Sequence, residues 1–164
     1  MILIGIGSNL AFPPAATPLA TVSAALAALP AHGVRIIFRS GWYESEPVPP
    51  SDQPWYVNGV ASVVTELTPA ALLEALLALE GEFGRERVAP NAARTLDLDL
   101  LDYDFRLCDS ATLTLPHPRL HQRRFVLVPL CEIASEWRHP RLERTAAELL
   151  ARLPQGQSIR RFAD

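Results

Sequence analysis

The chain has few cysteines and no apolar run that could span a membrane. Cys108 and Cys131 are its two cysteines in 164 residues, and they match no close metal-ligand spacing, so neither a zinc centre nor a disulfide-stapled secreted domain is indicated. The apolar start at residues 1–7 lacks a basic segment and soon meets Asn9 and Pro13, which argues against a signal peptide. We therefore expect a cytoplasmic protein that does not associate with membranes.

Two further features of the sequence exclude classes of function. The net charge of −3 is unlike that of proteins that track nucleic acid, which are usually basic, so we expect no nucleic-acid partner. The chain also lacks the Gly-x-x-x-x-Gly-Lys loop with which P-loop enzymes hold phosphates. Its length and its 49% hydrophobic content suffice for one core, and we expect residues 1–164 to form a single domain.

Hydrophobic spacing and turn residues predict the order of strands and helices. Strand patterns occupy residues 2–6, 34–39, 56–65 and 96–101. Residues 44–54 contain four prolines and are expected to be a loop. With the helices, the order is β, α, β, β, α, β, followed by a smaller β and α supplement. This order predicts an α+β fold, a ferredoxin-like antiparallel sheet with helices packed on it.

The helices are predicted from their starts as well as from their apolar spacing. The start signals are the Thr17-Pro18 and Thr68-Pro69 pairs, in which an N-cap precedes proline, and the capping-box spacing of Thr145 and Glu148. Residues 125–134 are predicted to form a further short helix, entered at an angle because of Pro129.

The stretch at residues 94–101 carries two acidic side chains on one face of a strand. Because side chains alternate along a strand, Asp97 and Asp99 point the same way while the leucines beside them enter the core. Their Cα atoms lie roughly 6.5 to 7 Å apart, which lets both carboxylates bind one hard cation or bridge two. The alternative is a merely solvated face, which the low strand preference of aspartate disfavours. In a regular strand, Asp102 and Asp104 would face the side opposite to Asp99. They fall where the strand is expected to end and are interpreted as turn residues.

Cationic side chains flank this strand in the sequence. Arg85, Arg87 and Arg94 border a loop that leads directly into the acidic segment. Arginine presents a planar fork to phosphate oxygens, and Mg²⁺ held by carboxylates completes its shell with water and substrate phosphates. His117 lies between two prolines, where its imidazole can be held at a fixed angle towards a phosphate. Each arginine alone would be interpreted as a solvated charge, but the combination indicates a polyphosphate site.

Together, several motifs resemble those of the 6-hydroxymethyl-7,8-dihydropterin pyrophosphokinase family. They are Gly7-Ser8-Asn9-Leu10, residues 43–47, Asp52-Gln53-Pro54, residues 56–58, Gly84-Arg85-Glu86-Arg87, Arg94-Thr95-Leu96-Asp97-Leu98-Asp99, and residues 116–125 from Pro-His-Pro-Arg to Phe125. They follow the family's order, and the acidic block with its arginine is the most specific of them. The resemblance implies an enzyme of folate biosynthesis that transfers pyrophosphate from ATP to 6-hydroxymethyl-7,8-dihydropterin and releases AMP.

The resemblance also implies a role for each site residue. Two Mg²⁺ ions are expected on Asp97 and Asp99, which would act with Arg85 and Arg94 as the catalytic residues. The residues expected to contact ATP are Arg85, Arg87, Arg94, Thr114, His117 and Arg123. Those expected to contact the pterin are Ser45, Pro47, Val48, Tyr56, Asn58 and Phe125, with Asn58 on the pterin edge and Phe125 stacked on the ring. A monomer whose partners are ATP and the pterin is implied.

The chain departs from the family's pattern at two places. Residues 90–93 read Pro-Asn-Ala-Ala where many relatives carry a basic residue and a tryptophan, and Leu77 stands where some have a polar residue near ATP. We therefore expect fewer contacts from a closing lid. Three alternatives stay open: a binding module without chemistry, another nucleotidyl or phosphoryl transferase, and an interaction domain with an incidental acidic strand. AMP formation, the choice of acceptor and replacement of Asp97 would separate them.

Overall fold

An antiparallel sheet forms the centre of the chain. The computed structural model describes residues 1–85, 93–154 and 156–162. The strands are β1 (Ile2–Ser8), β2 (Arg35–Arg39), β3 (Tyr43–Ser45), β4 (Tyr56–Val64), β5 (Asp97–Tyr103), β6 (Cys108–Asp109), β7 (Thr114–Leu115) and β8 (Ile159–Arg161). The helices are α1 (Pro18–Ala28), α2 (Pro69–Glu82), α3 (Arg124–Ala134) and α4 (Ala146–Arg152), with short 3-10 helices at Leu29–His32 and Leu120–Gln122. Among these described residues, no helix has both the length and the apolar character that a membrane span requires.

The strand order places β1 and β4 at the centre of the sheet. It runs β5-β1-β4-β3-β8, and β2 also pairs with β4, so β2 and β3 lie one after the other along the same edge of β4. Every pairing is antiparallel, and β6 and β7 form a separate small ladder. The predicted combination of helices with an antiparallel sheet is confirmed.

The predicted loop at residues 44–54 is wrong at its start. Glu44 and Ser45 belong to β3, which pairs with β4 on one side and with β8 on the other. The prolines that indicated a loop begin only at Pro47, and one of the two strands that pair with residues 43–45, β8, comes from a distant part of the chain.

The helix starts agree with the sequence signals. The side chains of Thr17 and Thr68 accept hydrogen bonds from the backbone N–H groups three residues later, and proline follows each of them. Thr145 and Glu148 form both bonds of a capping box, at 3.1 and 2.8 Å. These contacts satisfy backbone donors that the first turn of a helix leaves unpaired. The predicted helix at residues 125–134 is also confirmed, with Pro129 inside it.

Two hydrophobic cores lie on opposite faces of the sheet. The core beneath α1 and α2 includes Ile4, Ile6, Val22, Leu72, Leu76, Leu96, Leu98 and Leu100. The core beneath α3 and α4 includes Leu3, Val60, Leu101, Leu127, Leu130 and Leu149. The predicted alternation along β5 is confirmed, because the leucines at 96, 98 and 100 enter the first core. The aspartates between them face the α3 side of the sheet.

A bulge in β5 explains why the prediction for Asp102 is wrong. The register between β1 and β5 shifts at Leu101, so this residue and Asp102 both face the α3 side of the sheet. Asp102 is a buried strand residue and not a turn residue: it is 0% exposed, and its Oδ2 accepts a hydrogen bond from Trp137 Nε1 at 3.0 Å. Asp104 lies in the following turn with a positive φ, so that part of the prediction is confirmed.

The neutral form of His139 stabilises the turn between α3 and α4. This residue is 3% exposed, and its Nδ1 accepts from the backbone N–H groups of Arg141 and Leu142 at 3.2 and 3.3 Å. Burial, with the nearby His121 and Arg141, lowers its pKa from 6.5 to about 4. Below pH 6.5 the unfolded chain therefore binds a proton that the folded chain does not. We expect this residue to reduce the free energy of unfolding by about 1–2 kcal/mol between pH 7 and pH 5.

Urea unfolding of the wild type and of His139→Asn at both pH values measures this contribution. The asparagine amide accepts the same backbone N–H groups but does not titrate. The variant is expected to lose less stability on acidification than the wild type. The same pH dependence in both proteins would contradict the assignment.

Candidate active site

A cavity of about 340 Å³ lies on the α3 face of the sheet. It is bounded by β1, by the segment after β3, by the acidic face of β5 and by the start of α3. All six residues predicted to contact the pterin line it: Ser45, Pro47, Val48, Tyr56, Asn58 and Phe125. Four further predicted site residues do so as well: Arg94, Asp97, Asp99 and Arg123.

A second cavity of about 240 Å³ adjoins the first. Its charged and polar lining includes Glu80, Arg85, Asp99, Thr114 and His117, and its apolar lining includes Leu73 and Leu77. Asp99 lines both cavities, so the two spaces meet at this carboxylate. Arg87 and the part of the predicted lid at residues 90–92 lie outside the described residues.

The two aspartates of β5 are paired with three arginines. The Asp97 carboxylate contacts Arg85 Nη1 and Arg94 Nη1, each at 2.8 Å. The Asp99 Oδ2 accepts from Arg123 Nη1 at 2.7 Å. Arg123 also lies over the ring of Phe125, 5.5 Å from its centroid. The structure thus gathers the predicted acidic and basic side chains at one place.

Burial and like charge perturb this acidic pair. Burial is the largest cause that raises the pKa of Asp97, and the neighbouring Asp99 raises it further, while Arg94 and Arg85 act in the opposite direction. The site therefore favours any species that adds positive charge between the carboxylates. In the described part of the chain, no three or more His, Cys, Asp or Glu side chains are grouped so that they could hold a metal ion.

Asn9 directly follows β1 and connects three segments of the site. Its side chain is buried, and Oδ1 accepts from the backbone N–H of Arg94 at 2.7 Å. Its Nδ2 donates to Gln53 Oε1 and to the carbonyl of Pro54 at 3.2 and 3.1 Å. One amide thus joins the end of β1 to the arginine before β5 and to the segment before β4. This contact orients the Arg94 backbone beside the acidic strand.

Glu80 is a site residue that was not predicted from the sequence. It is 1% exposed on α2, accepts from the backbone N–H of Leu98 at 2.6 Å, and also contacts Arg85. Burial raises its pKa to about 7, against the lowering effects of Leu98 and Arg85. A signal was available, because Glu80 continues the buried stripe of Leu72 and Leu76 at intervals of four residues. Glu80 positions Arg85 between α2 and β5.

The protonation of His117 can be inferred from its hydrogen bonds. Its Nδ1 accepts from the backbone N–H of Arg119 at 3.1 Å, so the neutral ring carries its proton on Nε2. Burial is the main cause that lowers its pKa, although Asp99 acts in the opposite direction. The Nε2 lies 3.9 Å from Asp99 Oδ2, at the border of the second cavity. His117 can therefore donate a hydrogen bond to a ligand there.

Asn58 is oriented by its neighbours. It is 4% exposed on β4, and its Nδ2 donates to Ser45 Oγ at 2.7 Å and to the carbonyl of Tyr56 at 3.3 Å. These two bonds fix which way the amide points, so that its oxygen is left as an acceptor at the cavity wall.

Comparison with known proteins connects this geometry to a family. The family model of 7,8-dihydro-6-hydroxymethylpterin-pyrophosphokinase (HPPK) matches residues 3–135. The 2-amino-4-hydroxy-6-hydroxymethyldihydropteridine pyrophosphokinase of Haemophilus influenzae is 44% identical over 134 residues, or 81% of each protein. The enzyme of the same name from Synechocystis is 41% identical over 148 residues, which are 90% of this chain and 73% of the relative.

Solved structures support the same fold. A crystal structure of an HPPK-DHPS protein in complex with substrates is similar at a TM-score of 0.67 with 13% sequence identity, and it covers 92% of this chain. The HPPK-DHPS of Plasmodium falciparum is similar at a TM-score of 0.65 with 14% identity. This chain spans less than half of either of those chains, at 42% and 43%.

Proposed function

The chain belongs to the 7,8-dihydro-6-hydroxymethylpterin-pyrophosphokinase family and transfers pyrophosphate from ATP to hydroxymethyldihydropterin, and we propose that its two adjoining cavities hold these two substrates. The reaction is a step of folate biosynthesis. One observation carries the proposal: Asp99 lines both cavities, so an acceptor in one and a phosphate chain in the other meet at the same carboxylate.

The first cavity suits a small planar heterocycle. Its volume of about 340 Å³ is in the range of sites for small ligands, and it combines aromatic side chains with few directed polar groups. The Asn58 oxygen would accept from the pterin edge, while Phe125 and Tyr56 would contact the ring faces. Ser45 would hold the Asn58 amide, and Pro47 and Val48 would close the outer wall. The hydroxymethyl arm would then point towards Asp97 and Asp99.

The second cavity suits the phosphates of ATP. Arg85 offers its fork to phosphate oxygens, and His117 offers an Nε2–H group. Thr114 adds a hydroxyl, and Arg94 and Arg123 reach the junction from the other side of the acidic pair. We propose the same role for Arg87. These cations would pair with phosphate oxygens in place of the carboxylates once ATP is bound.

The acidic pair fits the divalent metal cofactor that an ATP-using pyrophosphokinase is expected to need. Two carboxylates on one face of a strand, one of them with a raised pKa, form a site that a hard cation would relieve of like-charge repulsion. We propose that Asp97 and Asp99 hold two Mg²⁺ ions together with the phosphate oxygens. When bound, the cations neutralise phosphate charge in the transition state.

The proposed reaction is an in-line displacement at the β-phosphorus of ATP. A bond forms from the hydroxymethyl oxygen to this phosphorus as the bond to the α,β-bridging oxygen breaks, and AMP leaves while the hydroxyl proton passes to water. Arg85 and Arg94 would stabilise the charge that develops at the bridge. The chain contributes orientation and electrostatic stabilisation, as is usual in phosphoryl transfer.

AMP formation from ATP, hydroxymethyldihydropterin and Mg²⁺ tests this function. The wild-type chain is expected to release one AMP for each pterin diphosphate formed, and to release almost none when the pterin is omitted. Other alcohols serve as control acceptors. AMP release that did not depend on the pterin would contradict the assignment of the first cavity.

Replacement of Asn58 by alanine is expected to raise the KM for the pterin about 10- to 100-fold. The variant loses a buried hydrogen bond to the substrate edge and leaves Ser45 without its partner. The KM for ATP is expected to stay within twofold, since Asn58 lies outside the second cavity. Steady-state AMP assays with each substrate varied in turn measure both constants, and equal increases in both would contradict the pterin assignment.

Several finer expectations are proposals of the same kind. The path β1, α1, β2 with β3, β4, α2, β5 supports a ferredoxin-like βαββαβ unit, with α3, α4 and β8 as the supplement. We propose that residues 1–164 are one pyrophosphokinase domain that acts as a monomer in the cytoplasm, with ATP and the pterin as its substrates.

A further inference from the structure

The last strand of the chain pairs with a strand that borders the first cavity. β8 pairs with β3 in the register Ser45 to Ile159, Glu44 to Arg160 and Tyr43 to Arg161. β8 lies outside residues 3–135, the part of the chain that the family model matches. Gln157, two residues before this strand begins, lines the first cavity. The C-terminal segment therefore reaches the site from outside the matched region.

Gln157 contacts the backbone of the cavity wall. Its Nε2 donates to the carbonyl of Glu46 at 3.0 Å. The neighbouring peptide is held as well, because Glu46 N donates to the carbonyl of Ser158 at 3.2 Å, and Ser158 N donates to Glu46 Oε2 at 3.2 Å. Both the N–H and the carbonyl of Glu46 are thus bonded to the C-terminal segment.

Residues 47–50, which form the cavity wall after Glu46, can donate few backbone hydrogen bonds. Residues 47–50 read Pro-Val-Pro-Pro, so Val48 has the one backbone N–H among these four residues. Such a segment cannot form a hydrogen-bonded ladder of its own. Its position depends on the residues at its ends, and the end next to β3 is fixed by Gln157 and Ser158.

The same C-terminal segment is also bonded to α3, the helix whose first turn borders the pocket. Arg161 donates to Glu132 Oε1 on α3 at 3.0 Å, and Glu132 Oε2 accepts from Gly41 N and from Tyr43 Oη, both at 2.9 Å. Phe162 N donates to the carbonyl of Trp42 at 2.9 Å. The segment is therefore tied both to the strand before the wall and to the helix whose first turn carries a cavity residue.

We infer that Gln157 is a positioning residue for the acceptor substrate: by holding the Glu46 carbonyl, it sets the position of the proline-rich wall against the pterin. The inference rests on the proposed placement of the pterin in the first cavity. If the strand served only to cover the sheet edge, loss of the Gln157 side chain would leave substrate binding unchanged. A positioning role predicts a selective change in the KM of one substrate.

Full-length Gln157→Ala and Gln157→Glu test the inference. The first removes the donor, and the second replaces it with an acceptor of the same length that faces the Glu46 carbonyl. For both we expect the KM for hydroxymethyldihydropterin to rise about three- to tenfold, the usual effect of one hydrogen bond. The kcat, the KM for ATP and the thermal midpoint are expected to change little. Ser158→Ala is the matched control, because Ser158 bonds to Glu46 through its backbone alone.

Two outcomes would overturn the inference. One is a pterin KM within twofold of the wild type in both Gln157 variants. The other is an equal rise in both KM values with a fall of the thermal midpoint, which would indicate general destabilisation. Asn58→Ala in the same assay distinguishes this failure from a failure of the pocket assignment. If the Asn58 variant changes the pterin KM and the Gln157 variants do not, the pocket assignment stands and the role of Gln157 is rejected.

Discussion

Asp97→Asn is expected to lower kcat for AMP formation by about 10³-fold or more. The amide keeps the shape of the side chain but removes the negative charge that would hold a cation against the phosphates. It also weakens the contacts with Arg85 and Arg94, which lie at 2.8 Å in the wild type. Steady-state AMP assays over a range of Mg²⁺ concentrations measure the effect, and a higher Mg²⁺ requirement is expected in the residual activity.

Asp104→Asn is a matched control for this variant. Asp104 follows the same strand but lies in an exposed turn, where asparagine tolerates the positive φ. It is expected to retain wild-type kcat. If Asp97→Asn kept more than a tenth of the wild-type kcat at the same Mg²⁺ optimum, the acidic pair would not be the metal site.

Arg85→Ala is expected to lower kcat/KM for ATP by about 10²- to 10³-fold. Arg85 lies between Glu80 of α2 and Asp97 of β5 and lines the second cavity, so it is already oriented when the phosphates arrive. The loss is expected chiefly in kcat, because charge develops on the phosphate bridge in the transition state. Arg85→Lys retains the charge but not the planar fork, and we expect it to recover at most about a tenth of the wild-type value.

Arg152→Ala is the corresponding control, since Arg152 is an exposed residue at the end of α4. Thermal unfolding separates catalysis from stability, because Arg85→Ala leaves Glu80 buried without this partner. A raised pKa lets Glu80 bind a proton instead, so the fold is expected to persist near neutral pH. A fully active Arg85→Ala protein would contradict the proposed phosphate contact.

Much of the architecture could be predicted because it depends on local chemistry. Helices α1 and α2 begin directly after Thr17 and Thr68 because a threonine cap and a following proline act within one turn. The shared face of Asp97 and Asp99 follows from the alternation of a strand, and the buried leucines at 96, 98 and 100 that alternate with them confirm it. The pterin residues that line the first cavity were expected from the resemblance to the family and not from local patterns, because Pro47 and Val48 lie in a proline-rich loop that has no assigned face.

The features that were missed depend on distant partners or on irregular backbone. Asp102 was assigned to a turn because aspartate favours turns, but β5 continues past the bulge at Leu101 and includes it. The short strand β3 exists because β4 and β8 pair with it, and β8 comes more than a hundred residues later in the chain. The bond from Gln157 to Glu46 spans a similar separation. Short-range patterns contain no information about such contacts.

An anomalous difference map from a crystal soaked with Mn²⁺ and a non-hydrolysable ATP analogue tests the proposed metal site most directly. We expect peaks at the junction of the two cavities, with carboxylate oxygens of Asp97 and Asp99 within about 2.3 Å of manganese, close to the distances of oxygen ligands to hard cations. Manganese bound to the nucleotide alone, with both aspartates still paired to their arginines, would contradict it.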